Sequence, residues 1–252
     1  MKIDTHCHLS EKDYDNLEEV IKRMDSNIMI VSGCDDKTNK EVINLCEKYK
    51  NVYGTLGIHP QEVNNAKDES LCFIEQNLKN SKIVGIGEIG LDYYWTTENK
   101  ELQIEWFKKQ LSLAKKYDKC VVVHSRDSIQ DTYDILKQSN VSKINIHCYS
   151  SSLEMAQEFI KIGAKLGVGG VLTFKNSEKL KQVVKNIDLK YLLLETDSPY
   201  LSPEPKRGHK NEPINIYYIA QKIAEIKCVS IDDVFKQTTQ NAVEQFDLPD
   251  VL

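Results

Sequence analysis

The 252-residue sequence has no CxxC pair, no glycine-rich phosphate loop and no repeat or low-complexity insert. It also has no apolar run approaching the roughly 18 residues that would suggest a membrane span. Each absence removes a class of protein. The seven cysteines (Cys7, Cys34, Cys46, Cys72, Cys120, Cys148 and Cys228) are odd in number and scattered. That pattern argues against a disulfide framework or a zinc ribbon and for reduced thiols packed as small hydrophobes. There is no basic excess either: the net charge of −5 gives no global field to attract nucleic acid. A nucleic-acid substrate would have to be gripped by a local basic patch and bound metal ions. Asp4, His6 and His8 interrupt any apolar segment at the start, unlike a secretory leader. The expectation is a cytoplasmic protein with no membrane association and no obligate protein partner.

What the chain does contain is an alternation of apolar runs and helical patterns with a period of roughly 30 residues, the size of one βα unit. Candidate strands are KIDTHCHL from Lys2, NIMIVSG from Asn27, VYGTLGI from Val52 and KIVGIGEIG from Lys82. KCVVVHS from Lys119, KINIHCY from Lys143, KLGVGG from Lys165 and YLLLETD from Tyr191 follow. Several are almost continuously apolar, as strands buried on both faces should be. Between them, Leu17, Val20, Ile21 and Met24 repeat at i, i+3, i+4, i+7, as do Val42, Leu45, Cys46 and Tyr49, and Leu180, Val183, Val184 and Ile187. Leu102, Trp106, Phe107, Leu111 and Ala114 form a longer stripe, and Ser151 with Glu154 suits a capping box. Eight strands each followed by a helix predict a single (β/α)8 TIM-type barrel over residues 1–252. An open doubly wound sheet would normally carry its phosphate loop after the first strand, where this chain has HCHLSEKDY.

The histidines fall where such a barrel keeps its chemistry. His6 and His8 close strand 1, His59 strand 3, His124 strand 5 and His147 strand 6; only His209 lies elsewhere. Glu88 in GIGEIG ends strand 4 and Asp197 in LLLETDSPY ends strand 8. The C-terminal strand ends form one face, so these side chains should converge. Strand alternation puts His6 with His8, and Glu195 with Asp197, on shared faces. Taken singly, an HxH pair, a core histidine or a buried carboxylate would be unremarkable; together at one rim they read as a metal centre. The predicted ligands of a first divalent ion are His6, His8, Glu88 and Asp197, at about 2.0–2.2 Å each. His124 and His147, sharing Glu88 as a bridge, would hold a second. Two such ions about 3.5–4 Å apart hold a hydroxide, polarise a phosphoryl or carbonyl oxygen and stabilise the leaving oxygen. His59 would overfill this set and is assigned to the substrate. Cys7 and Cys148 should point away from their neighbouring histidines and pack.

Cations and aromatic rings gather near the same mouth. Arg126 follows strand 5, Lys175 and Asn176 follow strand 7, and KRGHKNEP, with Lys206, Arg207 and Lys210, follows strand 8. Arg and Lys are the usual phosphate partners, although a solvated loop explains the last three equally well. Tyr93, Tyr94, Trp95, Tyr149, Phe174 and Tyr200 could stack on a base or simply pack the loops.

The segments DTHCHL, GIHP, GEIGLDYY, VHSRD, HCYS, TFKN and LLLETDSPYLSPEPKRGHKNEP, with TTQNA near the C-terminus, resemble in order the motifs of the TatD family of metal-dependent deoxyribonucleases. The resemblance spans nearly the whole chain and implies a (β/α)8 fold and two divalent metals, Mg²⁺ or Mn²⁺ in activity with Zn²⁺ possible. It also implies DNA as substrate, often cut by a 3′→5′ exonuclease. Carried over by motif, the ligands are His6, His8, Glu88, His124, His147 and Asp197, with His59 and Arg126 on the substrate. The chain departs from the family in HCYSS, where Ser151 replaces a usual glycine and Tyr149 a common Phe.

The mechanism expected on this basis has Asp197 orienting or deprotonating the nucleophilic water and Glu88 bridging the metals. Lys175 and Arg207 join His59 and Arg126 on the substrate. Glu195 either orients a ligand from behind or is a structural carboxylate. The rivals are a dinuclear hydrolase of a cyclic amide, lactone, phosphoester or aminoacyl ester on the same fold, and a non-catalytic binding protein. Many barrels of the first kind bridge their metals with a carboxylated lysine, whereas strand 4 here presents Glu88. The second kind predicts broken ligands, and all six are present.

Overall fold

The computed structural model describes residues 1–248, so the last four residues of the domain expected over 1–252 lie outside the described residues. Eight parallel strands pair in strict chain order: β1 (Ile3–Cys7), β2 (Ile28–Ser32), β3 (Val52–Leu56), β4 (Ile83–Asp92), β5 (Cys120–Arg126), β6 (Ile144–Ile146), β7 (Ala164–Val168) and β8 (Leu192–Leu194). Around them run α1 (Leu17–Arg23), α2 (Asp36–Lys48), α3 (Asp68–Asn77), α4 (Lys100–Tyr117), α5 (Ile129–Ser139), α6 (Leu153–Lys161), α7 (Glu178–Asn186), α8 (Ile216–Lys227) and α9 (Ile231–Phe246). This is the predicted (β/α)8 barrel, nearly closed.

Strand alternation separates two apolar layers. Along β5, Val121 and Val123 join the large cluster between strands and helices, while Cys120 and Val122 belong to a smaller one. That smaller cluster includes Ile30, Tyr53, Val84 and Leu193, and Ala242 and Phe246 of α9 plug it. His124 lies two residues beyond Val122, so the face that packs this plug carries the chemistry at its other end. The helix α9 has no counterpart in the expected repeat. It is tied in by Asn241 Nδ2, which donates to the carbonyls of Leu189 and Leu192 (2.8 Å each).

The seam between β8 and β1 is closed by individual bonds. Thr5 Oγ1 donates to Leu194 O (3.0 Å), and Thr196 donates from N to Asp4 Oδ1 (2.9 Å) and from Oγ1 to Asp4 Oδ2 (2.6 Å). Asp197 N donates to His6 O (3.0 Å) and His8 N to Ser198 O (2.7 Å). The bonds that close the barrel therefore also set two histidines beside Asp197.

Several local expectations shift. The α6 cap is Ser152, whose hydroxyl accepts from Met155 N (3.3 Å), and not Ser151, because the helix begins one residue later. The strand β4 runs on to Asp92, so Glu88 lies within it; a register shift between Ile86 and Ile89 re-aims the chain there. The strand β8 stops at Leu194 and Asp197 has φ +54°, so alternation does not relate Glu195 to Asp197.

Gly90 fixes how closely β4 and β5 approach. Its φ is +137°, and a Cβ there would lie 2.0 Å from the His124 carbonyl oxygen. Gly90→Ala is expected to lower the melting temperature by roughly 2–12 °C, from an overpacking cost of about 1–3 kcal/mol. Differential scanning calorimetry checks this, and an unchanged transition would show that the two strands can part.

Candidate metal centre

The strand ends bring His6, His8, Glu88, His124, His147 and Asp197 together, and with them His59. Glu88 is buried and faces imidazoles through both oxygens. Its Oε2 lies 3.4 Å from His8 Nε2 and 3.6 Å from His6 Nε2. Its Oε1 lies 3.0 Å from His124 Nδ1, 3.1 Å from His147 Nε2 and 3.5 Å from His59 Nε2. Asp197 Oδ1 completes the first group at 3.5 Å from His6 Nε2 and 3.6 Å from His8 Nε2, while those two nitrogens stand 3.1 Å apart.

These separations test whether a cation fits. Donors each about 2.1 Å from one ion and 90–110° apart are separated by about 3.0–3.4 Å. The His6, His8, Glu88 and Asp197 distances fall at or just beyond that range. Tautomers point the same way. His8 Nδ1 donates to Ser32 O (3.1 Å), which can only accept, so the neutral ring keeps its lone pair on Nε2. His6 Nδ1 pairs with Ser32 Oγ (3.0 Å), again leaving Nε2 inward. His124 Nε2 meets Asp92 Oδ2 (3.0 Å), and a proton held on that side leaves Nδ1 facing Glu88 Oε1 as a donor atom for a cation. Converging lone pairs and carboxylates are a donor set for a divalent ion, and the residues fit one.

Charge supports the same conclusion. Burial works against ionising Glu88, yet His147 and His59 outweigh it and hold its carboxyl well below the usual range. Burial likewise opposes charge on His147, and Glu88 raises its pKa well above that of free imidazole. Asp197, despite burial, is kept ionised by His6 and His8. Every ion pair of Glu88, Asp92, Glu195 and Asp197 among the described residues is with a histidine. Four carboxylates without a lysine or arginine partner make this a place that takes up positive charge.

Sequence reasoning missed three contributors. Asp92 holds His124 and also accepts from Gln61 Nε2 (3.1 Å) and Tyr94 N (3.0 Å). The GEIGLD segment offered the signal, since Asp92 lies at an even spacing from Glu88. Ser32 sets both first histidines and lacks any chemical signature in sequence. Cys34 Sγ lies 3.7 Å from Glu88 Oε2 and 3.9 Å from His8 Nδ1, making a further potential donor. Glu195 Oε1 lies 3.6 Å from His147 Nδ1, and its carboxylate fills the space a Cβ on Gly167 would need. Cys7 packs in the core as expected. Cys148 does not: β6 has ended, its φ is +47°, and its N–H donates to Glu195 Oε1. Its thiol is half-buried, and burial, with Asp197 and Glu195 nearby, pushes its pKa up.

A cavity of about 650 Å³ opens onto the cluster, with His59 and Arg126 in its wall. Arg126 lies 3.6 Å over the ring of Tyr94. Lys175 and Arg207 do not line the cavity; Arg207 stacks 3.9 Å over Phe174 instead.

A (β/α)8 barrel with this donor set at the C-terminal ends of its strands belongs to the metal-dependent hydrolases. A family model described as TatD related DNase matches residues 3–247, and the chain belongs to that family. It is 38% identical to the metal-dependent hydrolase YabD of Bacillus subtilis over 98% of this chain and 99% of the relative. A metal-dependent hydrolase of Methanocaldococcus jannaschii is also 38% identical, covering 97% of this chain and 96% of its own. The crystal structure of YjjV, a TatD homologue from Escherichia coli, superposes with a TM-score of 0.89 at 30% identity over 98% of both chains. Among the described residues no helix is long and apolar enough to cross a membrane.

Two outcomes follow for the centre. Chelation by EDTA should lower the melting temperature by roughly 5–10 °C relative to protein in about hundredfold excess of Mn²⁺ or Zn²⁺ over Kd, with recovery on adding the ion back. Asp92→Asn, which leaves His124 without its carboxylate, should weaken metal affinity roughly 10–100-fold by isothermal titration.

Proposed function

We propose that the protein is a deoxyribonuclease that hydrolyses DNA phosphodiester bonds as a 3′→5′ exonuclease on single strands, using two divalent cations. The observation that carries this reading is the division of the two Glu88 oxygens between two sets of imidazoles. Membership of the TatD-related DNase family supports it. His6, His8, Asp197 and Glu88 Oε2 would hold one ion, and His124, His147 and Glu88 Oε1 the other. Mg²⁺ or Mn²⁺ suits nuclease chemistry, and the nitrogen-rich donors also suit Zn²⁺. Cations bound there supply Lewis acidity to a phosphoryl oxygen and offset the charge of the transition state.

The chain's own groups do the rest. Asp197 meets both imidazoles through Oδ1, and its second oxygen orients the attacking water and takes its proton. The water oxygen bonds to phosphorus as the bond to the 3′ oxygen breaks, and that oxygen leaves with a proton from solvent. Glu195 keeps the His147 ring in place from behind. His59 and Arg126 line the cavity and hold the scissile phosphate, whereas Lys175 and Arg207 lie outside its wall. We place the protein in the cytoplasm, where its seven free cysteines stay reduced.

Glu88→Gln and Asp197→Asn preserve shape and remove a charge. Each should lower metal-dependent cleavage of 5′-labelled single-stranded oligonucleotides roughly 10²–10⁴-fold. The wild type should give a ladder shortening from the 3′ end. Near-normal cleavage by either variant would sink the mechanism, and cleavage of a cyclic amide with none of DNA would move the substrate class.

A further inference from the structure

Six large apolar side chains are exposed among the described residues: Met1, Tyr94, Trp95, Tyr200, Tyr217 and Val229. Two of them, Trp95 (65% exposed) and Tyr200 (59% exposed), line the same cavity as Glu88 and His147. They come from different loops, one after β4 and one after β8. Leaving an indole in water forgoes the gain from burying it, and among the described residues this one stays largely uncovered.

The loops that carry both rings are tied to the centre through the backbone. Tyr94 N donates to Asp92 Oδ1 (3.0 Å), and the Tyr94 ring meets Trp95 edge-on at 5.0 Å, with Arg126 on the Tyr94 face. Tyr200 N donates to Asp197 O (2.9 Å), Asn211 Nδ2 donates to Tyr200 O (2.7 Å), and the Tyr200 ring lies 6.2 Å from His8. Arg126 supplies a cation beside the Trp95 loop. The net charge of −5 gives no global field to draw a polyanion to the cavity. Stacking on the bases would add affinity that the cations at the site, which act on phosphate, do not supply.

We infer that Trp95 and Tyr200 are stacking surfaces for the unpaired terminal bases of single-stranded DNA entering the cavity, an assignment that rests on the deoxyribonuclease reading. Base stacking on aromatic rings tolerates any sequence and is worth roughly five- to hundredfold in affinity per base. It also accounts for a preference for single strands, since paired bases hide their faces.

The test uses the metal-loaded protein and a short oligothymidylate with nuclease-resistant phosphorothioate linkages. A strand of equal length built from abasic tetrahydrofuran units is the comparison. Of the two tryptophans Trp106 is buried, so Trp95 dominates any ligand-induced change in fluorescence. Oligothymidylate should quench this emission and bind roughly tenfold or more tightly than the abasic strand by fluorescence anisotropy. Trp95→Ala and Tyr200→Ala should each reduce that discrimination, and Trp95→Phe should keep most of it. Equal binding of both strands, or undiminished discrimination in the alanine variants, overturns the stacking assignment while cleavage of ordinary DNA by the wild type leaves the nuclease reading standing. Tighter binding of oligouridylate overturns DNA as the occupant. Failure to bind or cut any strand overturns both.

Discussion

A buried carboxylate that meets imidazoles on both of its oxygens sets the terms for the rest of this molecule. Glu88 cannot be satisfied by one partner, and the neighbouring Asp92, Glu195 and Asp197 bring no lysine or arginine with them. The centre is built to hold positive charge, and the surrounding architecture keeps its donors from collapsing onto one another. The register shift in β4 turns Glu88 inward, Gly90 lets β5 bring His124 alongside, and Ser32 orients two rings at once. Each device is local, yet all serve the same few oxygen and nitrogen atoms.

The barrel divides its labour along its axis. At one end, Phe246 and Ala242 of α9 join strand side chains in an apolar plug. At the other, the faces that packed the plug carry imidazoles and carboxylates. This separation lets the donor end keep polar, mutually repelling groups while the opposite end supplies cohesion. Outside the acidic centre comes a ring of different chemistry, with Arg126 on Tyr94 and the exposed Trp95 and Tyr200.

Much of this was legible in the residues because the code for a parallel barrel is simple. Apolar runs alternate with amphipathic stretches, and chemical side chains stand at the ends of the runs. His6, His8, Glu88, His124, His147 and Asp197 were readable as a set for that reason. What was hidden depended on backbone departures from ideal strands. Alternation misplaced Cys148 and could not relate Glu195 to Asp197, because β6 and β8 are three residues long and the chain then turns through positive φ. Asp92 looked like part of a loop because the end of β4 was set two residues early. Ser32 and Cys34 carry no signal of their own; only the folded neighbourhood gives them a role. Lys175 and Arg207 show the converse, residues with a plausible charge that do not line the cavity.

The seam between β8 and β1 has a consequence for how the protein is made. His6 and His8 leave the ribosome about 190 residues ahead of Asp197 and the Thr196 that grips Asp4. No N-terminal fragment, however well folded, can complete the first group of donors. Metal capture by that group thus reports that synthesis has passed the eighth strand and that the two ends of the barrel have met.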